Sequence, residues 1–376
     1  MVAELGTDDG AQPFPGLASW YSALRERNTR RVNVLVVGDS ISESTWNPIA
    51  DRYTGLLQER IDNHYGLPYA EVPYIPSYYA TPAPPMQSPV SWSGSSTGVS
   101  SGLGLRATET ASDGSSTFTF RGTRARIVFT QAPASAMARI VLDDGMSVTV
   151  DTSAASITES GLVWDTGPLS AGTHTVTVSR DASSASSAKL WLEGMYVENG
   201  DANSGVHFLD SAHNGYSTTQ FSTYIAGFRR AVAQAAAVTG GIDLIIWELG
   251  TNDLSGGVST ADFQARISSY IADFRSDFGF TGSLLFVAVP KSSVFTQASW
   301  NRYVAAMQSL ATANSGGFVN LGALMPQPGE PGSAGLYYDS VHPTPTGYAE
   351  MAQLLGPVLD PASYWGQGLR ARLPPR

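Results

Sequence analysis

Two polar stretches of this sequence carry residue types that are used in acyl transfer. Ser40 follows a glycine and an aspartate in "VNVLVVGDS", where a run of branched apolar residues ends. Asp339 and His342 are three residues apart in "YYDSVHP", so one turn can bring the carboxylate to the imidazole Nδ1–H and leave Nε2 free for a serine proton. The spacing predicts a serine nucleophile, a histidine base and an aspartate that orients the histidine.

Two further stretches contain groups suited to binding a developing negative charge. "DSAHNGYST" holds Asn214 and Gly215, and "GTND" holds Asn252. The backbone N–H of Ser40, the backbone N–H of Gly215 and the side-chain amide of Asn252 are the predicted donors to an oxyanion. One such donor, aimed before the reaction starts, is typically worth about 3 kcal/mol of barrier.

The polar stretches follow predicted strands or precede the last predicted helix. The strand patterns are "VNVLVVG", "VHFLD", "IDLIIWELG", "SLLFVAVP" and "GFVNLG". Helical apolar spacing occurs near 217–237, 260–277, 297–313 and 345–357, and also in "PGLASWYSALRER" and "NPIADRYTGLLQERIDNHYG". This alternation predicts a parallel sheet with helices on both faces, and such sheets bind ligands at the carboxyl ends of their strands.

The middle of the chain has a different pattern. Short alternating runs such as "TFTFRG", "ARIVFTQ", "MSVTVDT" and "THTVTVSR" have no helical stretches between them, which predicts an antiparallel β-sandwich. Residues 82–104 are rich in proline, serine and glycine and are predicted to form a loop. The predicted organisation is one α/β domain in two parts, 1–72 and 203–376, interrupted by a β-sandwich at 73–202.

Four of these stretches, taken in order, resemble the signature blocks of a known enzyme family. "GDSIS", the Asn214-Gly215 turn, "GTND" and "DSVHP" are similar to the four blocks of the SGNH, or GDSL-type, hydrolases. The resemblance covers about 31–70 and 203–358 and leaves the sandwich outside. The second block departs from the pattern, because "HNGYST" lacks the second glycine often seen there.

The resemblance implies a fold and a set of roles. It implies a three-layer α/β/α, flavodoxin-like hydrolase with a mainly parallel sheet, here interrupted by the antiparallel insert. In the family, serine is the nucleophile, a glycine and an asparagine help to form the oxyanion hole, and histidine is the base, with an aspartate three residues before it. The matching positions are Ser40, Gly215, Asn252, His342 and Asp339.

The insert suggests what kind of ester is the substrate. "LVWDTGPLSAGTHTVTVSR" and "LWLEGMYVE" resemble jelly-roll, galactose-binding-like modules found on enzymes that act on glycans. Trp92, in the predicted loop, is the candidate for an exposed aromatic that contacts sugar, and Asp39 and His213 are further candidate substrate contacts. The predicted function is a serine esterase that removes small acyl groups, acetyl above all, from a carbohydrate or cell-surface glycan.

Three rival interpretations remain open. The substrate can be a lipid ester or a thioester instead of a glycan. The chain can be a glycan-binding surface or tail-type protein with an idle hydrolase fold. The insert can also be a lid that only shapes the acyl pocket.

Composition and charge exclude several other classes. The net charge is −10 and no dense group of lysines and arginines occurs, which argues against nucleic acid or an anionic membrane as partner. The absence of cysteine removes disulfides, zinc–thiolate sites and thiol catalysis. Neither a signal-peptide pattern nor an apolar run of membrane-spanning length is found, so a soluble protein is expected, and the insert favours an extracellular location.

His207, Asp210 and His213 lie close enough in sequence to suggest a metal site. Alternation along a strand would separate their side chains, and no further ligand set is found. No metal and no cofactor is therefore predicted.

Overall fold

The computed structural model describes residues 14–44, 47–67, 72–79, 89–111, 113–143, 145–200 and 204–362. The strands are β1 Val32–Gly38, β2 Tyr74–Pro76, β3 Val90–Ser93, β4 Ser96–Val99, β5 Ala107–Thr110, β6 Ser115–Gly122, β7 Arg124–Gln131, β8 Met137–Leu142, β9 Met146–Asp151, β10 Thr158–Asp165, β11 Gly172–Arg180, β12 Leu190–Glu198, β13 Val206–Asp210, β14 Leu244–Glu248, β15 Ser283–Ala288 and β16 Gly317–Asn320. The helices are α1 Ala18–Arg25, α2 Ser40–Glu43, α3 Tyr53–Tyr65, α4 Thr218–Thr223, α5 Ile225–Thr239, α6 Thr251–Ser255, α7 Thr260–Phe278, α8 Gln297–Ala313 and α9 Pro345–Leu359. Short 3₁₀ helices span Pro15–Leu17, Ile49–Asp51, Leu103–Leu105 and Leu321–Ala323.

A parallel sheet in the order β13–β1–β14–β15–β16 forms the centre of the α/β part. If the five strands of this sheet are numbered 1 to 5 along the chain, their order across the sheet is 2-1-3-4-5, which is that of flavodoxin-like folds. β1 is buried along its whole length, because its two neighbours and the helices on both faces cover it. The strand order changes direction at β1, and the carboxyl end of β1 is therefore the expected place for a ligand. The predicted α/β, flavodoxin-like class is confirmed.

Helices cover both faces of this sheet. On one face α1 is tied to the end of α9, since Trp20 Nε1 donates to the Leu359 carbonyl at 2.8 Å and Tyr21 Oη donates to the Val358 carbonyl at 2.7 Å. On the other face α5, α7 and α8 pack side by side. The helices predicted near 260–277, 297–313 and 345–357 are found within two residues of those limits.

Some helical detail differs from the prediction. The helix expected over 217–237 is divided into α4 and α5 at Tyr224. The short helix α6, which follows β14, was not predicted, whereas a helix was expected to begin at Ser40 and is found there as the single turn α2. Helices of one turn are too short to produce an apolar period in sequence. No helix in the described ranges is both long and apolar enough to cross a bilayer.

The insert folds as antiparallel sheets, as predicted. One sheet has the order β10–β7–β12–β5–β4, with β2 also paired to β12, and the other has the order β3–β6–β11–β8–β9. Apolar side chains of the two sheets form a separate buried cluster that includes Phe118, Ile127, Val176 and Leu192. The predicted loop at 82–104 is wrong for its described part, because 89–104 contains β3 and β4.

The insert also packs into the core of the α/β part. Leu103 and Leu105, which precede β5, are buried within the cluster formed by the parallel sheet and its helices. Tyr74 of β2 and Tyr196 of β12 join the same cluster. The predicted boundaries at 72–73 and 202–203 and the jelly-roll resemblance stay predictions, and residues 68–71 and 201–203 lie outside the described residues.

Candidate active site

Ser40 stands at the carboxyl end of β1, as the first residue of α2. Gly38 makes the sharp turn possible, because a Cβ at that position would lie 2.5 Å from Ser42 Oγ and 2.9 Å from Glu248 Oε2. The Asp39 carboxylate caps α2 by accepting the Ile41 N–H at 2.9 Å. Only 6% of Ser40 is exposed, although it lies at the edge of the sheet.

His342 connects Ser40 to Asp339. His342 Nε2 lies 2.9 Å from Ser40 Oγ, and His342 Nδ1 lies 2.8 Å from Asp339 Oδ2. The other carboxylate oxygen of Asp339 accepts the backbone N–H groups of Val341 and His342, both at 2.7 Å. Partial burial alone would raise the pKa of Asp339, but the hydrogen bonds from His342 and Val341 outweigh it and lower that pKa. Asp339 is therefore an ionised acceptor at neutral pH, and the three predicted residues meet in the predicted order.

The loop that carries Asp339 and His342 is closed on itself before α9 begins. The Tyr338 N–H donates to the His342 carbonyl at 2.8 Å, and the Thr344 N–H donates to the Leu336 carbonyl at 2.9 Å. The Thr344 side chain then caps α9 by accepting the Gly347 N–H at 3.2 Å. The first turn of α9 is thus joined to the end of the loop that carries Asp339 and His342.

Replacing Gly347 with alanine is expected to disturb this loop. A Cβ at Gly347 would lie 2.1 Å from the Leu336 carbonyl oxygen, so the backbone next to the loop must move. We expect a loss of about 1–3 kcal/mol in the free energy of unfolding, measured by chemical denaturation. Because His342 shifts, we also expect kcat for ester hydrolysis to fall by at least about tenfold. Gly172→Ala is the matched control, since a Cβ at Gly172 meets nothing within 4 Å. Unchanged kcat and stability in Gly347→Ala would contradict the proposed support.

Gly215 lies in a tight turn formed by residues 213–216, beside Ser40. The Tyr216 N–H donates to the His213 carbonyl at 3.1 Å, and Gly215 has a φ of 76°, a left-handed conformation that glycine adopts without strain. The His213 N–H donates to the Gly38 carbonyl at 3.0 Å, which fixes this 213–216 turn to the end of β1. Gly215 itself is exposed.

Asn252, near the start of α6, reaches the same turn from the other side. Its Nδ2 donates to the Tyr216 carbonyl at 2.9 Å, and a primary amide has a second N–H for another acceptor. The neighbouring Asp253 accepts the Thr218 N–H at 3.1 Å and the Thr218 hydroxyl at 2.5 Å. The stretches that hold Gly215 and Asn252 are therefore locked to each other.

Two backbone donors beside the serine are left for a ligand. In the part of the chain that the structure describes, the N–H groups of Ser40 and Gly215 donate no hydrogen bond to another residue. Together with the second N–H of the Asn252 amide, they are the donors that the sequence predicts for an oxyanion, and the 213–216 turn that Asn252 contacts is joined to the Gly38 carbonyl at the end of β1.

Two of the predicted substrate contacts are placed differently from expectation. Asp39 is fully buried beneath Ser40, and its burial raises its pKa to about 7, with a smaller contribution from Asp253. It caps α2 and has no exposed surface for a substrate, so the predicted contact stays a prediction that the burial of Asp39 argues against. Trp92 lies in β3 and is half-buried, with its ring stacked on Tyr78 at 5.3 Å and its Nε1 donating to the Ser77 carbonyl at 2.7 Å. It is not the exposed loop aromatic that was expected, and its contact with sugar stays a prediction.

His213 supports the 213–216 turn from inside. Its ring is 7% exposed and lies 3.4 Å from the Tyr216 ring, and Nδ1 lies 2.7 Å from the Gly104 carbonyl. Burial lowers the pKa of His213 to about 4, so the neutral ring donates its Nδ1–H to Gly104. The predicted substrate contact stays untested, but the ring has little surface for one.

The sequence itself matches a family model over just over half of the chain. Residues 157–350 match the GDSL-like lipase/acylhydrolase family. The chain belongs to this family. The matched range contains Gly215, Asn252, Asp339 and His342, and Ser40 lies before it. The resemblance to SGNH hydrolases is therefore confirmed. Membership of the family shows that the chain is an acylhydrolase, without giving its substrate.

One of the solved structures that are similar to this chain shows the same fold over nearly its whole length. A structure of a peptidoglycan O-acetylesterase is 19% identical to this acylhydrolase, with a TM-score of 0.68 over 96% of this chain and 99% of that one. A family two carbohydrate esterase from Clostridium thermocellum in complex with cellohexaose is 12% identical over 69% of this chain and 95% of that one, with a TM-score of 0.34. An acetylxylan esterase from Geobacillus stearothermophilus is 15% identical over 43% of this chain and 74% of that one, also with a TM-score of 0.34. A comparison with curated protein sequences gave no match.

Glu248 is a residue of this acylhydrolase site that the sequence reasoning did not single out. It ends β14, is fully buried and accepts the Ser42 hydroxyl at 2.7 Å. Ser42 in turn lies 2.8 Å from the Tyr53 hydroxyl. Burial is the main cause that raises the pKa of Glu248, and the charge of Asp39 raises it further. A glutamate inside the apolar run "LIIWELG" was the signal that could have found it, since buried acids need partners.

A second group of buried charges joins the insert to the acylhydrolase core. Arg52 and Arg106 both contact Asp210, with closest distances of 2.7 and 2.9 Å. Burial would raise the pKa of Asp210, but the two arginines lower it, so Asp210 is ionised. His207 faces the Ser204 carbonyl instead, and the described residues contain no group of three or more acids and histidines that could hold a metal.

Proposed function

We propose that this acylhydrolase is a serine esterase that removes small acyl groups, acetyl above all, from a carbohydrate. The observation that carries the proposal is the chain of contacts from Ser40 Oγ to His342 Nε2 at 2.9 Å and from His342 Nδ1 to Asp339 at 2.8 Å. A hydroxyl, a base and an ionised orienting group at these distances are what serine acyl transfer requires.

The reaction proceeds in two stages. Ser40 Oγ attacks the ester carbonyl carbon as His342 Nε2 takes the hydroxyl proton, and the carbonyl oxygen becomes an oxyanion held by the N–H groups of Ser40 and Gly215 and the amide of Asn252. The intermediate collapses, and His342 gives its proton to the departing sugar alkoxide. Water then attacks the acyl-serine with His342 as base, and the carboxylic acid leaves with Ser40 restored. Asp339 stabilises the imidazolium that forms in both stages.

Two features support a carbohydrate ester. A solved structure that aligns with 96% of this chain, insert included, is that of a peptidoglycan O-acetylesterase. The β-sandwich contacts the α/β part close to the site, through residues such as Gly104 and the turn residue His213. O-acetylated peptidoglycan is therefore the first carbohydrate to test, and acetylated xylan the second.

A lipid-type esterase is the rival within the family. Val294 and Tyr338 are 74% and 49% exposed, and the Ser293 N–H donates to the Ser340 carbonyl at 3.1 Å, which places Val294 beside the Asp339–His342 loop. Exposed apolar side chains at that position would suit a long acyl chain.

An acyl-length series separates these functions. We expect the parent protein to hydrolyse p-nitrophenyl acetate with a higher kcat/KM than the butanoate and octanoate esters, and to release acetate from O-acetylated peptidoglycan. Ser40→Ala should abolish both reactions, because the mutant has no nucleophile.

A preference for octanoate with no release of acetate from either glycan would favour the lipid-type rival. Glycan binding that survives Ser40→Ala, in a parent that has no turnover, would favour a binding protein with an idle site.

A further inference from the structure

Arg106 belongs to the insert but lies at the core of the hydrolase site. It follows the 3₁₀ turn Leu103–Leu105 and has no exposed surface. Its Nη1 lies 3.3 Å from Glu43 Oε1, and its Nη2 lies 2.9 Å from Asp210 Oδ2 and donates to the Asp210 carbonyl at 3.1 Å. One guanidinium thus spans a carboxylate of α2 and a carboxylate of β13.

Glu43 transmits this contact to the 213–216 turn. It is the last residue of α2, the helix that begins at Ser40, and it is fully buried. While one of its oxygens faces Arg106, the other accepts the backbone N–H of Asn214. Gly215 is the next residue after Asn214, so a contact that fixes the Asn214 N–H also limits where the Gly215 N–H can point.

The insert meets the same turn at two further points. The Gly104 carbonyl accepts the Nδ1–H of His213 at 2.7 Å, and Ser100 Oγ lies 2.8 Å from the Tyr216 hydroxyl. The Gly104 N–H also donates to Ser211 Oγ at 3.1 Å, just before the turn. Three of the four turn residues are therefore held by the insert, directly or through Glu43.

We propose that Arg106 is a positioning residue for the oxyanion site: it orients Glu43, and through Glu43 it aims the Gly215 N–H at the reacting carbonyl. This inference rests on the proposed function, in which Gly215 binds the oxyanion. Water does not screen the Arg106–Glu43 contact, because both side chains are buried. The contact between Arg106 Nη1 and Glu43 Oε1 is an ion pair at 3.3 Å without a hydrogen bond, and the guanidinium reaches Asp210 at the same time, which the single ammonium of a lysine cannot do. The insert is then a structural part of the catalytic site, needed even for a small ester without sugar.

Arg106→Lys and Glu43→Gln, made in the full chain, test the inference. We expect Arg106→Lys to lower kcat for p-nitrophenyl acetate by about 100-fold with KM within about twofold, because the oxyanion contact is made in the transition state. The affinity for a phenylboronic acid, whose tetrahedral serine adduct places an oxygen in the oxyanion site, should fall by a similar factor. The variant that carries both Arg106→Lys and Glu43→Gln should lose no more kcat than the worse of the two single variants, because both changes release the same Gly215 N–H.

Arg126→Lys is the matched control. Arg126 of β7 also joins the insert to the α/β part, with contacts to Glu198 at 2.5 Å and the Val238 carbonyl at 3.3 Å. Glu198 also pairs with Arg31, which precedes β1, whereas Ser40 follows the opposite end of that seven-residue strand. Arg126→Lys should keep the parental kcat and boronate affinity.

The outcomes separate the two proposals. If Arg106→Lys does not fold, judged by circular dichroism and thermal melting, Glu43→Gln carries the test with the same expected loss. Folded variants with parental kcat and boronate affinity would overturn the role of Arg106 while leaving the esterase in place. A parent whose ester turnover does not depend on Ser40 would overturn the proposed function and this inference together.

Discussion

Removing Ser40 and His342 together is expected to cost no more activity than removing either one alone. His342 Nε2 is 2.9 Å from Ser40 Oγ, and each group is useless for acyl transfer without the other. We expect Ser40→Ala, His342→Ala and the double variant each to lower kcat for p-nitrophenyl acetate by about 10⁴- to 10⁶-fold. The measurement is steady-state kinetics of the three variants and the parent, at matched thermal stability.

A second histidine–carboxylate pair provides the control. His64 Nδ1 lies 2.6 Å from Asp360 Oδ2, between α3 and the end of α9. His64→Ala removes a similar contact and should leave kcat within about twofold, because it touches no part of the site. Losses in Ser40→Ala and His342→Ala that multiply in the double variant would show that the two residues act independently, and the proposed nucleophile and base would then be wrong.

Replacing Asp339 with asparagine is expected to be more harmful than replacing it with alanine. Asp339 Oδ1 accepts two backbone N–H groups at 2.7 Å, and an asparagine keeps its oxygen there and turns its NH₂ group toward His342 Nδ1. The imidazole must then carry its proton on Nε2, where it cannot accept the proton of Ser40. We expect a loss in kcat of about 10⁴-fold for Asp339→Asn.

Alanine imposes no such tautomer. The Asp339 side chain is 44% exposed, so water can accept the Nδ1–H in Asp339→Ala, and we expect this variant to be at least about tenfold more active than Asp339→Asn. Asp143→Asn is the matched control, because Asp143 forms a comparable 2.5 Å contact with His174 in the insert and should not change kcat. Equal kcat in the two Asp339 variants would argue against tautomer control by this residue.

The burial of Asp39 and Glu248 shows how the turn at Ser40 is supported. Both acids lie without exposed surface beneath Ser40, the proposed nucleophile, where burial raises their pKa values. Each also has a fixed partner, the Ile41 N–H for Asp39 and the Ser42 hydroxyl for Glu248. Through these contacts they hold the backbone of α2, the helix that begins at Ser40.

Much of the candidate site was determined by sequence alone. The types and spacing of Ser40, Asp339 and His342, each next to a strong strand or helix pattern, were enough to predict that they meet. The reason is that consecutive strands of a parallel sheet bring their carboxyl ends to one edge, so residues after those strands become neighbours whatever the chain between them. The same rule placed Asn252 beside the 213–216 turn.

The tertiary structure alone decided the rest. Nothing in the pattern around Arg106 distinguishes it from a surface arginine, because its partners Glu43 and Asp210 are 63 and 104 residues away in sequence. Trp92, expected in an exposed loop, stacks on Tyr78 because β3 pairs with β6 and turns the ring inward. Burial and long-range ion pairing are properties of packed elements, and local periodicity carries no information about which elements pack together.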